Sequence, residues 1–176
     1  MHVSWLPYEL HPEAPVEGIP RDAYFAGARR AQFEQIREHL EGIAAEVGLT
    51  MKQRDVIINS RRALGAAEFA RERGKFEAMH RALFKAHWEG TGRLEDTDDL
   101  VRIGTGVGLD PTELRAAIDE DRYAAVIEDN RRDAESVGIN AIPAHIFGQR
   151  YLVLGAQPYE AFQQVLERLR QEGDTG

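Results

Sequence analysis

The sequence has no cysteine in its 176 residues. No disulfide can form within it, and no thiolate is available as nucleophile or metal ligand. Long apolar runs are missing too, since nothing approaches the roughly 20 residues of a membrane span. The opening "MHVSWLPYEL" (1–10) has no basic n-region, no apolar h-region and no small-residue cleavage site, so it does not read as a signal peptide. A basic stripe is also absent. The formal charge is −8, from 22 basic and 30 acidic side chains. Repulsion from phosphates argues against nucleic acid as a partner. The cytoplasm is the expected location, although a lack of thiols also suits the periplasm.

What is present describes a globular chain. Hydrophobic residues make up 43 % and charged residues 30 %, a mix that buries a core rather than staying disordered. The length fits one domain, or one core carrying a helical insertion, without staples of any kind.

"VSWL" (3–6) alternates as a strand does, and Pro7 ends or edges it. "HPEAPVEGIP" (11–20) holds three prolines and predicts an irregular connection. Asp22 is placed to cap the next helix. Phe33, Ile36, Leu40, Ile43 and Val47 then recur at spacings of 3 and 4, which is one apolar stripe of a helix. "VGL" at 47–49, "VGL" at 107–109 and "VGI" at 137–139 each follow a helical pattern. All three read as glycine stops with an apolar residue folding back.

"RDVIIN" (54–59) is short and extended, and helices are expected from Ser60 to about Arg73 and from about Lys75 to Trp88. Asp96 or Thr97 opens the next helix after a loop. "DPTE" (110–113) supplies a capping Asp, a first-turn Pro and a Glu three residues after the cap. Helical pattern continues to Val137, with a bend at "DED" (119–121). After Gly138 the period changes to that of strands. "AHIF" (144–147) and "YLVLGA" (151–156), separated by "GQR", predict a hairpin. Pro158 begins a last helix with Phe162, Val165, Leu166 and Leu169 on one face, and "QEGDTG" is a frayed tail.

Most candidate chemistry in the residues has a plainer structural reading. His80 and His87 lie seven apart, two turns apart on one helix face, which suits neither a chelating pair nor a His-Glu-x-x-His site. His145 sits in a strand and faces either a groove or the core. "GTGVG" (104–108) follows a helix, not a strand, so it reads as a helix end rather than a phosphate loop. "LEDTDDL" (94–100) lacks the spacing and the glycine of a calcium loop. Asn59 and Ser60 read as a helix cap, and Trp5, Tyr8 and Leu10 as core or groove wall. No serine lies in a nucleophile-elbow pattern.

"AIPAHIF" (141–147) puts a proline directly before a strand. On the residues alone, Pro143 simply begins an edge strand in trans.

In this order, "WLPYELHPEAPVEG" (5–18), "INSRRALGAAEFARERG" (58–74), "HRALFKAHW" (80–88) and "GINAIPAHIFGQRYLVLGAQP" (138–158), followed by the amphipathic last helix, resemble the DsbA-like thioredoxin superfamily, and its FrnE-type branch in particular. The resemblance covers nearly the whole chain. It implies an α/β, thioredoxin-like fold of DsbA type. Residues 1–20 and 138–176 would form the thioredoxin-like core, and 21–137 a helical insertion with its connections. It also implies thiol–disulfide oxidoreductase or isomerase chemistry. The alternative among its cousins is a glutathione-dependent 2-hydroxychromene-2-carboxylate isomerase or a kappa-type transferase. A non-catalytic peptide-binding module is a further alternative.

The same resemblance implies a cis bond at Pro143. It makes Ile142 and Pro143 the expected substrate-binding residues, offering the N–H and C=O of Ile142 to an extended peptide or to glutathione. Members of the family begin with a strand, a Cys-x-x-C loop and the helix which that cysteine opens. None of these has a counterpart here, nor has the serine of the isomerase branch. No catalytic residue is therefore expected, and thiol exchange is excluded for the sequence as written. The expected explanation is a longer native protein with the cysteine motif upstream. A second copy covering the slot of the missing strand is another way to close the sheet.

Overall fold

The N-terminal part of the molecule is built around a row of alanines. This computed structural model describes residues 2–25, 28–52 and 54–173. It divides into two units, Met1–Asn130 and Arg131–Gly176. The first unit starts with an irregular segment and continues through β1 (Ile19–Pro20), α1 (Arg21–Tyr24), α2 (Ala28–Glu46), β2 (Val56–Ile57), α3 (Arg61–Glu72), α4 (Phe76–Glu89), α5 (Thr97–Gly106) and α6 (Pro111–Asp119). Helix α7 (Ala124–Ser136) runs across the division. The second unit continues with β3 (Ala144–Phe147), β4 (Tyr151–Leu154) and α8 (Tyr159–Gly173).

Ala63, Ala66, Ala67 and Ala70 are buried along α3. Their short side chains let α4, α5 and α6 pack closely around that helix. Phe69, Met79, Leu100, Leu114 and Ile127 fill the space between and are fully buried. At Gly104 on α5 the approach is so tight that a Cβ would lie 2.3 Å from a methyl group of Leu114.

Helix ends follow local chemistry closely. Asp96 accepts from the N–H groups of Asp98 and Asp99, and Asp110 from those of Thr112 and Glu113, with Pro111 in the first turn. Gly48, Gly108 and Gly138 all have positive φ. Each is followed by an apolar residue whose N–H reaches back to the last turn, Leu49 to Ala44, Leu109 to Gly104 and Ile139 to Ala134. Those are the paired bonds of a Schellman stop.

Three expectations fail. The strand at 3–6 does not form. A strand exists only through hydrogen bonds to a neighbour, and no described strand lies beside residues 2–9. Asp22 does not cap a helix. It lies inside α1, where Pro20 occupies the cap position with no side-chain bond, and its carboxylate pairs with Arg30 at 3.3 Å. The connection at 11–20 is not wholly irregular, because Ile19 and Pro20 pair antiparallel with Ile57 and Val56. In both small sheets of the described residues only two strands pair.

Candidate functional site

The second unit is a hairpin laid on a helix. β3 and β4 run antiparallel in the register Ala144–Leu154, His145–Val153, Ile146–Leu152 and Phe147–Tyr151. Successive side chains alternate between faces, so His145, Phe147, Val153 and Tyr151 share one face. Phe162 of α8 meets that face, edge-on to the His145 ring at 4.9 Å and 6.0 Å from the Phe147 ring. Tyr151 donates its hydroxyl to Glu172, and Arg168 lies over the Tyr151 ring. The loop passes through Gly148 and Gln149, both at positive φ. A Cβ on Gly148 would come within 2.9 Å of Leu169.

Ile142 and Pro143 enter this hairpin from the Gly138 stop. The peptide bond between them is cis. The Pro143 carbonyl accepts from the Gly155 N–H at 2.8 Å, which closes the open end of the hairpin. One residue earlier the pairing stops. Ile142 is 49 % exposed, and neither its N–H nor its C=O has a hydrogen-bond partner among the described residues. His145 faces α8, on the covered side of the sheet, and its Nδ1 is buried without a hydrogen bond.

In the first unit the other candidates serve structure. His80 and His87 both lie on α4. His80 sits in a ring cluster with Trp5, Phe76 and Phe84. Burial, helped by Arg71 and Arg81, pushes its pKa down, and burial with Arg54 does the same for His87. Both imidazoles are therefore disfavoured as cations. Asn59 caps α3, its Oδ1 accepting the Arg61 N–H at 2.9 Å, while its Nδ2 donates to the Ala14 carbonyl at 2.7 Å. Ser60 makes no side-chain cap bond. "GTGVG" is the end of α5 and "LEDTDDL" its start. Among the described residues no group of His, Asp and Glu side chains could hold a metal, and no helix is long and apolar enough to cross a membrane.

Sequence reasoning missed three buried carboxylates, Glu9, Glu68 and Glu95. Each is met by arginine: Glu9 by Arg61, Glu68 by Arg71, and Glu95 by Arg54 and Arg93. Arg71 also donates to the Trp5 carbonyl at 2.7 Å and stacks on Phe76. The 52 residues between Glu9 and Arg61 and the 41 between Arg54 and Glu95 leave no local pattern to read, whereas Glu68 and Arg71 lie three apart on α3. A run of carboxylates paired to arginine holds the fold together and is not an acid–base site.

The sequence holds no thiol, and the structure leaves the Ile142 backbone exposed. Among curated proteins none matches the chain. The solved structures include a similar one, the crystal structure of a probable DsbA oxidoreductase from Streptomyces coelicolor. It is 27 % identical with a TM-score of 0.83, over 93 % of this chain and 73 % of that one. The family model of the DSBA-like thioredoxin domain matches residues 1–167. The chain thus belongs to the DSBA-like thioredoxin domain family and has its thioredoxin-like fold.

Proposed function

We propose that this chain is a FrnE-type member of the family that binds an extended polypeptide at Ile142 and Pro143 and does not itself exchange disulfides. Residues 1–20 and 138–176 are its thioredoxin-like core in this reading, and 21–137 its helical insertion. One observation carries the proposal. Ile142 presents an exposed N–H and C=O without partners directly before a carbonyl, that of Pro143, which is already paired. A peptide laid alongside satisfies both groups as an added strand would. Such a contact depends on main chain more than on side chain, which fits a protein that must accept many unfolded sequences. Glutathione offers similar peptide groups and is the competing ligand.

The test is a titration of isotopically labelled protein followed by amide chemical shifts, with an unfolded cysteine-containing peptide in one arm and glutathione in the other. Saturable shifts at the Ile142, Ala144 and Gly155 amides with the peptide are expected. Shifts with glutathione alone would move the reading to the isomerase and transferase cousins. No shift in that region with either ligand would overturn it.

A further inference from the structure

We propose that His80 is a pH-operated latch. It holds residues 2–6 on α4 at neutral pH and releases them when its imidazole takes a second proton. Pro7 and Glu9 are buried, but residues 2–6 are all exposed and pair with no described strand. Trp5 anchors them in two ways. Its indole lies on the His80 ring, with centroids 4.7 Å apart, and its carbonyl accepts from Arg71 at 2.7 Å. Phe76 and Phe84, one turn before and one turn after His80 on α4, close on the same imidazole at 5.3 and 4.6 Å. Three rings therefore wrap a single histidine.

The charges facing that ring oppose a second proton. Arg71 faces it from α3 and Arg81 from α4. The acids beside them are already engaged, Glu68 by Arg71 at 2.8 Å and Glu77 by Arg81 at 3.8 Å. Residues 2–8 bring no acid, and their titratable groups are His2 and Tyr8. A proton on His80 adds a cation beside two guanidinium groups and calls for water that the rings exclude. Burial first, then Arg71 and Arg81, push its pKa down. One effect runs the other way, because a cation gains from the electron-rich face of an aromatic ring. That gain is at its weakest on exposed rings, and Trp5 and Phe84 are 52 % and 53 % exposed. Lifting the indole away hydrates the imidazolium outright. The latched form therefore has the lower pKa and the open form the ordinary 6.5, so the hold is complete above 6.5 and weakens as pH falls below it. A single proton shifts that balance by at most about tenfold per pH unit. Once the ring contact is lost, the Arg71 bond alone does not offset the chain entropy of residues 2–6. Release bares the Trp5 indole and the side of His80 that it covered.

The test is proton NMR of the full chain between about pH 8 and about pH 5, the range in which histidine titrates. Cross-peaks between the Trp5 indole and the His80 imidazole are expected at the upper end. They should be lost at the lower end, with an unchanged far-UV circular dichroism spectrum. The His80 ring protons report its own titration in the same spectra. Trp5→Ala should move that midpoint upward, because indole and proton oppose each other equally from either side. Arg81→Gln, at a side chain 82 % exposed, should move it upward too. His80→Phe should keep Trp5 in contact with ring 80 across the whole range. Cross-peaks that persist at the acid end in the unaltered chain overturn the proposal. A midpoint that stays put or falls in Trp5→Ala overturns it as well, a fall being the mark of a dominant cation–ring attraction. Peptide binding at Ile142 is untouched by either result, so the two readings fail separately.

Discussion

Arg54 grips Glu95 with two prongs, Nη1 at 2.8 Å from one carboxylate oxygen and Nη2 at 2.7 Å from the other. The Glu95 side chain is only 4 % exposed, and Arg93 adds a third bond at 3.2 Å. Burial alone would raise the Glu95 pKa, but the hydrogen bonds and charge of Arg54 and Arg93 override it and bring the group down to about 2. Glu95→Gln leaves the Arg54 cation half-buried and unmatched. The expected loss is about 3 kcal/mol, measured by urea unfolding at neutral pH.

The same pair sets an acid limit. Glu95 has a depressed folded pKa, so its contribution is complete above the ordinary carboxylate value of 4.5 and is lost as pH falls toward about 2. Wild-type stability should drop across that window more steeply than that of Glu95→Gln. Parallel curves for the two proteins between pH 5 and pH 2 would show that the grip contributes nothing there.

Asn59 and Ser60 are neighbours with opposite predicted costs. Asn59 both caps α3 and holds the Ala14 carbonyl, so Asn59→Ala should cost about 1–2 kcal/mol. Ser60 occupies the formal cap position without a side-chain bond, so Ser60→Ala should change stability by less than about 0.5 kcal/mol. Thermal or denaturant melts of the two variants side by side decide the point.

Gly104→Ala tests the α5–α6 contact. Its Cβ would enter the space of the Leu114 methyl group at 2.3 Å, although alanine is the better helix former. Overpacking should win by about 1–3 kcal/mol. Gly42→Ala on α2 meets nothing within 4 Å and should stabilise slightly, by about 0.5–1 kcal/mol. Opposite signs in the two melting shifts are the expected outcome.

Disulfide chemistry offers the simplest measurement. With no thiol, the purified chain should neither reduce insulin disulfides nor refold a reduced substrate faster than buffer alone. Any rate above buffer would require a redox group other than this chain's own side chains.

What could be read from the sequence was local. Asp96, Asp110 and the glycine stops act within a few residues, so their effect is written in adjacent letters. The hairpin was legible for the same reason, as two apolar runs around a glycine turn. The strand expected at 3–6 was not determined by its own letters, because alternation supplies a face but not a neighbour. Ile19–Pro20 reads as loop and pairs only because Val56 and Ile57 are brought to it. The α2 stripe was visible as a period, yet a period does not say what covers it. At the candidate site, Pro143 was found through resemblance. The free backbone of Ile142 needed coordinates, since hydrogen-bond vacancy has no sequence signature.

Arg61 lies where three stretches of chain meet, bonded to Glu9 at 3.2 Å, Asp121 at 2.7 Å and Glu128 at 2.7 Å. The junction works as a hub with three spokes. Removing one spoke leaves a cation still served by two acids. Removing the hub leaves three acids facing one another, and Glu9, at 3 % exposed, has no water to retreat to. Tolerance to change is therefore lopsided here. Drift at Asp121 or Glu128 is forgiven, while a substitution at Arg61 loosens the N-terminal segment, the start of α3 and the α6–α7 turn in one step.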